Sequence, residues 1–113
     1  MGIQKIKFIS KEGLLEMMEN EEQFKLVEVL SPEGYEKEHL PLAINIPMNR
    51  LEELAPKFLS DKNERMVVYC SSFTCTASTG ATRKLQSMGY TNVLDYKGGK
   101  KDWDSAGLPL VKS

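Results

Sequence analysis

Met66-Val67-Val68-Tyr69-Cys70 is the stretch that decides the fold of this chain, because it has the pattern of a buried strand that ends on a cysteine. The polar loop Ser71-Ser72-Phe73-Thr74-Cys75-Thr76-Ala77-Ser78 follows it. A helical pattern then runs from about Thr79 to Met88 and is closed by Gly89. A strand, a short loop and a helix in this order direct backbone N–H groups and the positive end of the helix dipole into the loop.

The position of Cys70 at the start of this loop suggests a reactive thiol. A nest of N–H groups stabilises a thiolate, which is the nucleophilic form of cysteine. Lowering the pKa by about two units from ~8.5 corresponds to roughly 2.7 kcal/mol and makes the thiolate the major form at neutral pH. We therefore expect a depressed pKa at Cys70, although an inert cysteine that ends a core strand would have the same local sequence.

The composition of the chain limits the classes of function. Its 113 residues suffice for one domain with a single sizeable core. A net charge of −1 and the lack of a long Lys/Arg run argue against a nucleic-acid-binding surface. No stretch is apolar for long enough to span a bilayer, and the first residues lack the apolar core of a signal peptide. We therefore expect a cytoplasmic protein that binds neither nucleic acid nor a membrane.

The chain contains two cysteines, Cys70 and Cys75. In a reducing compartment they are not expected to form a structural disulfide. Two thiols five residues apart and a single histidine fall short of the four ligands of a zinc site. We therefore expect no metal and no cofactor, and the cysteines serve either packing or reactivity.

The rest of the chain alternates strand and helix patterns. Four further strands are predicted at residues 6–9, 24–30, 43–46 and 91–96. Between them, helix caps are predicted at Ser10, Ser31 and Asn49, and Gly98-Gly99 turns the chain into a last short helix around Trp103. Near-continuous apolar strands that alternate with helices indicate an α/β fold, with a mostly parallel sheet covered on both faces. Ligands bind such sheets at the carboxyl ends of the strands, which is where Cys70 is expected.

Motifs along nearly the whole chain occur in a recognisable order. They are Leu26-Val27-Glu28-Val29-Leu30 with Tyr35, Glu38-His39-Leu40-Pro41-Leu42-Ala43-Ile44-Asn45-Ile46-Pro47, Val67-Val68-Tyr69-Cys70, Gly89-Tyr90-Thr91-Asn92-Val93, Gly98-Gly99, Trp103 and Gly107-Leu108-Pro109. In this order and spacing they resemble the single-domain rhodanese-like sulfurtransferases. The resemblance implies that residues 1–113 form one rhodanese-like domain, with a central, mostly parallel five-stranded sheet flanked by helices on both faces.

The resemblance also implies sulfur chemistry at Cys70. The thiolate would take sulfane sulfur from a small donor, become a persulfide and pass the sulfur to a thiol acceptor, which could belong to a protein. The substrate-binding loop would be Ser71, Ser72, Phe73, Thr74, Cys75 and Thr76. Its Ser and Thr hydroxyls are candidates to donate hydrogen bonds to the sulfur, or they simply keep the loop polar.

The loop departs from the family pattern because it has no arginine. Rhodanese loops commonly carry one near the end, where Cys75 to Ala77 fall, and often another after the cysteine, where Ser71 stands. Without a guanidinium fork, thiosulfate loses a bidentate partner, so we expect poor turnover of thiosulfate. The missing arginine also argues against a phosphatase, since it would have to stabilise the phosphoryl oxygens.

Two questions stay open at this point. Cys75 would resolve an oxidised or persulfidated Cys70, act as the nucleophile itself, or merely line the pocket. The domain would be either an enzyme or a non-catalytic rhodanese-like module that binds a partner or senses redox state through both cysteines.

Other residues near the motifs have simpler interpretations. We favour a structural role for His39 in its turn, and a core position for Tyr90 and Trp103. Lys97, Lys100 and Lys101 are expected to form a solvated turn rather than to lend charge to the site. Glu28 ends a strand and is a candidate to anchor the loop.

Overall fold

The computed structural model describes residues 5–112 and has a five-stranded sheet. The strands are β1 (Lys7–Phe8), β2 (Lys25–Glu28), β3 (Ile44–Asn45), β4 (Met66–Tyr69) and β5 (Val93–Tyr96). The helices are α1 (Lys11–Glu19), α2 (Pro32–Lys37), α3 (Leu51–Phe58), α4 (Ala77–Ser87) and α5 (Gly99–Ser105). The strand order is β1-β5-β4-β2-β3 and the strands pair in parallel, which confirms the predicted fold class.

β4 lies at the centre of the sheet because its side chains are apolar on both faces. All of its residues are buried, as is typical of strands in a parallel sheet that helices cover on both sides. Met66, Val68 and Cys70 belong to the core that α3 and α4 cover. Val67 and Tyr69 belong to the opposite core, which α1 and α5 cover. The alternation therefore turns Cys70 towards the helices α3 and α4 at the carboxyl edge of the sheet.

Two of the three predicted helix caps are confirmed. The hydroxyl of Ser10 accepts a hydrogen bond from the Gly13 N–H at 3.0 Å, and that of Ser31 accepts one from the Gly34 N–H at 3.2 Å. The helices are short, since the longest, α4, has 11 residues. Within residues 5–112, none has the length and apolar character needed to cross a bilayer.

The predicted cap at Asn49 is wrong, because a 3-10 turn over Met48–Arg50 precedes α3. The Arg50 N–H donates to the Pro47 carbonyl, and the Leu51 N–H donates to that of Met48. These bonds satisfy donors that a capping side chain would otherwise have to satisfy.

The strands at the two edges of the sheet are shorter than predicted. β1 and β3 have two residues each, whereas the sequence pattern extends over four in both cases. An edge strand pairs with a neighbour on one side alone, so fewer of its residues complete ladder bonds. The inner strands carry the positions that matter for the site.

Candidate active site

Cys70 directly follows β4, and the start of α5 holds its backbone in place. Its carbonyl accepts a hydrogen bond from the Lys100 N–H at 3.0 Å, and the carbonyl of Ser71 accepts one from the Lys101 N–H at 2.8 Å. The Cys70 side chain is fully buried, packed with the core beneath α4. Hydrogen bonds from α5 therefore fix the backbone of Cys70 and Ser71, and core packing fixes the Cys70 side chain.

Gly99 allows α5 to approach Cys70 this closely. Its φ is +65°, and a Cβ at this position would lie 2.5 Å from the carbonyl oxygen of Cys70. It would also lie 3.0 Å from the carbonyl carbon of the same residue. Any side chain would push the two segments apart, so the predicted turn at Gly98-Gly99 requires glycine for the approach as well as for the backbone conformation.

The loop after Cys70 folds back over the cysteine sulfur. The Cys75 N–H donates to the Ser72 carbonyl at 3.0 Å and closes a turn. This brings the Cys75 carbonyl oxygen to 3.6 Å from the Sγ of Cys70, which donates to it. α4 begins at Ala77, two residues before the predicted start at Thr79, and the Gly80 N–H already bonds to the Thr76 carbonyl at 3.0 Å. The predicted loop was too long because its last small residues are compatible with a helix.

The remaining loop residues point in different directions. The hydroxyls of Ser72 and Thr74 bond each other at 3.0 Å, and Phe73 is 62% exposed at the tip. Thr76 precedes α4 without a capping side-chain bond. The loop hydroxyls were predicted to reach the Cys70 sulfur. The Ser71 hydroxyl instead reaches the Cys75 sulfur.

The two thiols are in hydrogen-bonding contact and both are free. Burial raises the pKa of the Cys70 thiol above its usual value, and the contact with Cys75 raises it further. Burial also raises the pKa of Cys75, which is partly exposed, but hydrogen bonds outweigh this effect. Contacts of its sulfur with the Cys70 thiol and with the N–H groups of Ser71 and Ala77 bring the pKa of Cys75 down to about 7.

The expected depressed pKa at Cys70 is therefore wrong, and the depressed pKa belongs to Cys75. The reason is burial: the position at the end of β4 removes the Cys70 sulfur from water, which disfavours its charged form. The N–H groups of the loop converge on Cys75 because the turn curls around it. The spacing of the two cysteines in the sequence does not reveal which of their sulfurs the N–H groups of the loop contact.

Two of the three lysines after β5 contact protein groups, so the expected solvated turn is wrong for them. The Nζ of Lys97 hydrogen-bonds to the Cys75 carbonyl. The Nζ of Lys100 lies 3.2 Å from a carboxylate oxygen of Glu28 and 3.2 Å from the Gly34 carbonyl. Lys101 is exposed, as predicted. Lys97 therefore holds the loop with a cation that comes from outside the loop.

Glu28 is the centre of a buried polar network that joins β2, β4 and α5. Its side chain is fully buried, and its Oε1 accepts a hydrogen bond from the Tyr69 hydroxyl at 2.8 Å in addition to the ion pair with Lys100. The same hydroxyl accepts the Leu40 N–H at 3.1 Å. The predicted anchoring role of Glu28 thus has named partners, one of which belongs to the helix that holds the Cys70 backbone.

Ser78 is a site residue that the sequence reasoning missed. Its hydroxyl is buried and has no hydrogen-bond partner within residues 5–112. Ser78 adjoins the Cys70 sulfur and lowers the pKa of Cys70 against the effect of burial. Ser78 was assigned to the end of a loop, and its place on the inner side of α4 could have been found by continuing the helical period backwards from Leu85.

His39 does not belong to this site. Its Nδ1 bonds to the Tyr35 carbonyl at 2.9 Å, its ring stacks on that of Tyr35, and its backbone pairs with Val111. The structural interpretation of His39 fits these contacts, and Tyr90 and Trp103 are core residues as predicted. In the part of the chain that the structure describes, no three His, Cys, Asp or Glu side chains are placed to share a metal ion.

A cleft of about 540 Å³ borders the loop at the carboxyl ends of β1 and β5. Its lining includes Phe8, Lys11, Phe73, Tyr96 and Lys97. Phe73 and Lys97 connect it to the loop, since the first is the loop tip and the second bonds to Cys75. Neither cysteine is among the residues that line the cleft, so it adjoins the loop through these two side chains alone.

Comparison with known proteins identifies the family. The profile of the Rhodanese-like domain family matches residues 10–106. The chain is 38% identical over 86 residues to the thiosulfate sulfurtransferase PspE of Escherichia coli, which covers 76% of this chain and 77% of that protein. It is 31% identical over 105 residues to a sulfurtransferase of Allochromatium vinosum, covering 91% and 92% of the two chains.

Solved structures agree with the family match. The BH2092 protein of Bacillus halodurans superimposes with a TM-score of 0.86 at 26% identity, over 94% of this chain and 77% of that one. A rhodanese with anions from E. coli superimposes with a TM-score of 0.68 at 36% identity, over 80% of this chain and all of that one. With its sheet order and its cysteine loop, the chain belongs to the rhodanese-like domain family.

Proposed function

We propose that this protein transfers sulfane sulfur through a persulfide on Cys70. The observation that carries the proposal is the position of Cys70 at the carboxyl end of β4, beneath the N-terminus of α4 and next to a second thiol. Relatives named thiosulfate sulfurtransferase and sulfurtransferase support this class of reaction. The partners would be a small sulfur donor and a thiol acceptor, which could be a protein, in a reducing compartment such as the cytoplasm.

Cys70 has to lose its proton before it attacks a donor. The Cys75 sulfur is in contact with the Cys70 thiol and would accept this proton. The pKa of Cys75 is about 7, whereas burial raises the pKa of Cys70 above its usual value, so the transfer is uphill. Cys75 would therefore serve as the base for Cys70.

The charged product would be stabilised where Cys70 ends the strand. The N–H and hydroxyl of Ser78 adjoin the sulfur and would donate to its charged form, since the hydroxyl has no other hydrogen-bond partner within residues 5–112. The first turn of α4 adds the positive end of its dipole. A persulfide anion would use the same donors as a thiolate.

The donor would carry less charge than thiosulfate. None of the three arginines belongs to the loop: Arg50 pairs with Glu53, Arg65 pairs with Glu22, and Arg83 is exposed on α4. The nearby ammonium groups of Lys97 and Lys100 already bond to Cys75 and Glu28. Because no guanidinium fork faces the cysteines, we infer that polysulfide or a low-molecular-weight persulfide is a better donor than thiosulfate.

Intact mass spectrometry after incubation with polysulfide tests the proposal. Cys75→Ser, which cannot form a disulfide with Cys70, should gain one sulfur, about 32 Da, which cyanide removes, while Cys70→Ser should not gain it. Cys75→Ser should load more slowly, since it lacks the base. Loading of Cys70→Ser together with failure of Cys75→Ser would make Cys75 the nucleophile and refute the assignment.

The contact between the two thiols also favours a second candidate, a non-catalytic module that senses redox state through Cys70 and Cys75. This candidate predicts that an oxidant converts the pair to a disulfide while no variant takes up sulfur. The spectra of Cys75→Ser distinguish the two functions, since sulfur loading adds about 32 Da to this variant and a redox sensor that takes up no sulfur leaves its mass unchanged.

A further inference from the structure

We propose that Cys75 attacks the Cys70 persulfide and releases its outer sulfur as sulfide, leaving a disulfide between Cys70 and Cys75. This inference rests on the proposed function and adds the route by which sulfur leaves the site. The protein would then deliver sulfide to the medium, using electrons from its own two thiols, rather than hand a persulfide sulfur to an acceptor that enters the loop.

The folded loop provides the geometry for this step. The hydrogen bond from the Cys75 N–H to the Ser72 carbonyl closes the turn, so residue 75 lies beside residue 70 although five positions separate them. The Cys70 Sγ is 3.6 Å from the Cys75 carbonyl oxygen and in hydrogen-bonding contact with the Cys75 sulfur.

The step requires Cys75 to be the attacking thiolate and Cys70 to carry the persulfide, and the two thiols differ in this direction. Cys75 receives the N–H groups of Ser71 and Ala77, which hold its pKa at about 7 despite partial burial. A thiol whose pKa lies near the ambient pH is the best attacking group in thiol–disulfide exchange. Cys70 is fully buried and would carry the sulfur that is attacked.

The atoms and electrons balance without a cofactor. The bond between the Cys70 Sγ and the outer sulfur breaks, and a bond between the two Sγ atoms forms. The outer sulfur keeps its proton and leaves as hydrosulfide. Two electrons pass to it from the cysteines, so a dithiol reductant from outside has to restore the thiols before the next cycle.

Burial of Cys70 is the reason to expect this route. A bulky acceptor thiol has to approach a buried sulfur from outside, whereas Cys75 is already in contact with it and so has the advantage of position. Hydrosulfide is small enough to leave past the turn. Within residues 5–112, no arginine of the loop holds the persulfide in place against this attack.

A single-turnover experiment tests the inference. The full chain is loaded with polysulfide without oxygen, desalted, and incubated with no reductant, while sulfide and intact mass are followed. The wild type should release sulfide and end about 2 Da below the reduced protein. Cys75→Ser should keep its additional 32 Da or so and release no more sulfide than the buffer. The wild-type rate should rise with pH through about 7, as Cys75 ionises.

The outcomes separate this inference from the function on which it rests. A wild type that loads and then keeps its persulfide would overturn the inference and leave the sulfurtransferase intact. So would sulfide release from Cys75→Ser at the wild-type rate. If no variant loads, the proposed function fails and the inference fails with it.

Discussion

Lys100→Met should destabilise the fold and loosen the site, because it removes the ion-pair partner of a buried carboxylate. Glu28 is fully buried, and its Oε1 lies 3.2 Å from the Lys100 Nζ, whose side chain is 16% exposed. The other carboxylate oxygen has no hydrogen-bond partner within residues 5–112. Methionine keeps much of the length and apolar surface of lysine, so the change isolates the loss of charge.

The magnitude follows from what the substitution leaves behind. Breaking a buried ion pair from one side costs about 3–5 kcal/mol. Lys100 keeps some contact with water, which screens the pair, so we expect about 2–4 kcal/mol. With a slope of roughly 1.5 kcal/mol/M for a chain of this size, the urea midpoint should fall by about 1–3 M.

Urea denaturation followed by circular dichroism measures this effect. Lys101→Met is the matched control, since Lys101 is exposed on the same helix, and it should change the midpoint little. Adding Glu28→Gln to Lys100→Met should restore part of the stability, because the amide still accepts from Tyr69 and leaves no buried charge. A double variant no more stable than Lys100→Met would refute the account of an unpaired carboxylate.

Two further predictions concern the cysteines and the approach of α5. Iodoacetamide labelling between about pH 6 and 9 should modify Cys75 first, with a rate that rises through about pH 7, because the thiolate is the reactive form. Cys70 should label slowly and only at higher pH. Labelling of Cys70 before Cys75 would contradict this order of pKa values. Gly99→Ala should lower the free energy of unfolding in urea by at least about 2 kcal/mol more than Gly107→Ala. Both residues have positive φ, but only the Cβ at residue 99 would meet backbone atoms, at 2.5 Å. Equal losses of stability would show that the contact between α5 and Cys70 does not require glycine at residue 99.

The sequence predicts the sheet and the position of Cys70 in it well, because both depend on local patterns. The apolar run before Cys70 predicts a central strand, and a cysteine that follows such a strand must lie at the carboxyl edge of the sheet. Ser10 and Ser31 cap helices with bonds inside a single turn. The prediction of a cap at Asn49 failed because hydrogen bonds of the preceding 3-10 turn already satisfy N–H groups at the start of α3.

The contacts that tune the site were not predictable, because they join residues that are far apart along the chain. The pairing of Lys100 with Glu28 spans 72 positions and depends on how α5 docks on the sheet. Which thiol ionises depends on the direction in which one turn curls, and the Ser72–Cys75 bond determines it. A pattern of small polar residues fits several such turns equally well.

The absence of an arginine in the loop changes its chemistry rather than removing it. A guanidinium would bind a dianionic donor and hold a persulfide by charge. This loop instead has a second thiol at residue 75, in contact with the first, and a lysine whose Nζ holds the carbonyl of that residue. A cation stabilises an anion without reacting with it, whereas a thiolate can take a proton, attack sulfur and form a disulfide. If the proposed release step is correct, this difference would give a site that reduces the sulfur it carries, and turnover would require an external dithiol.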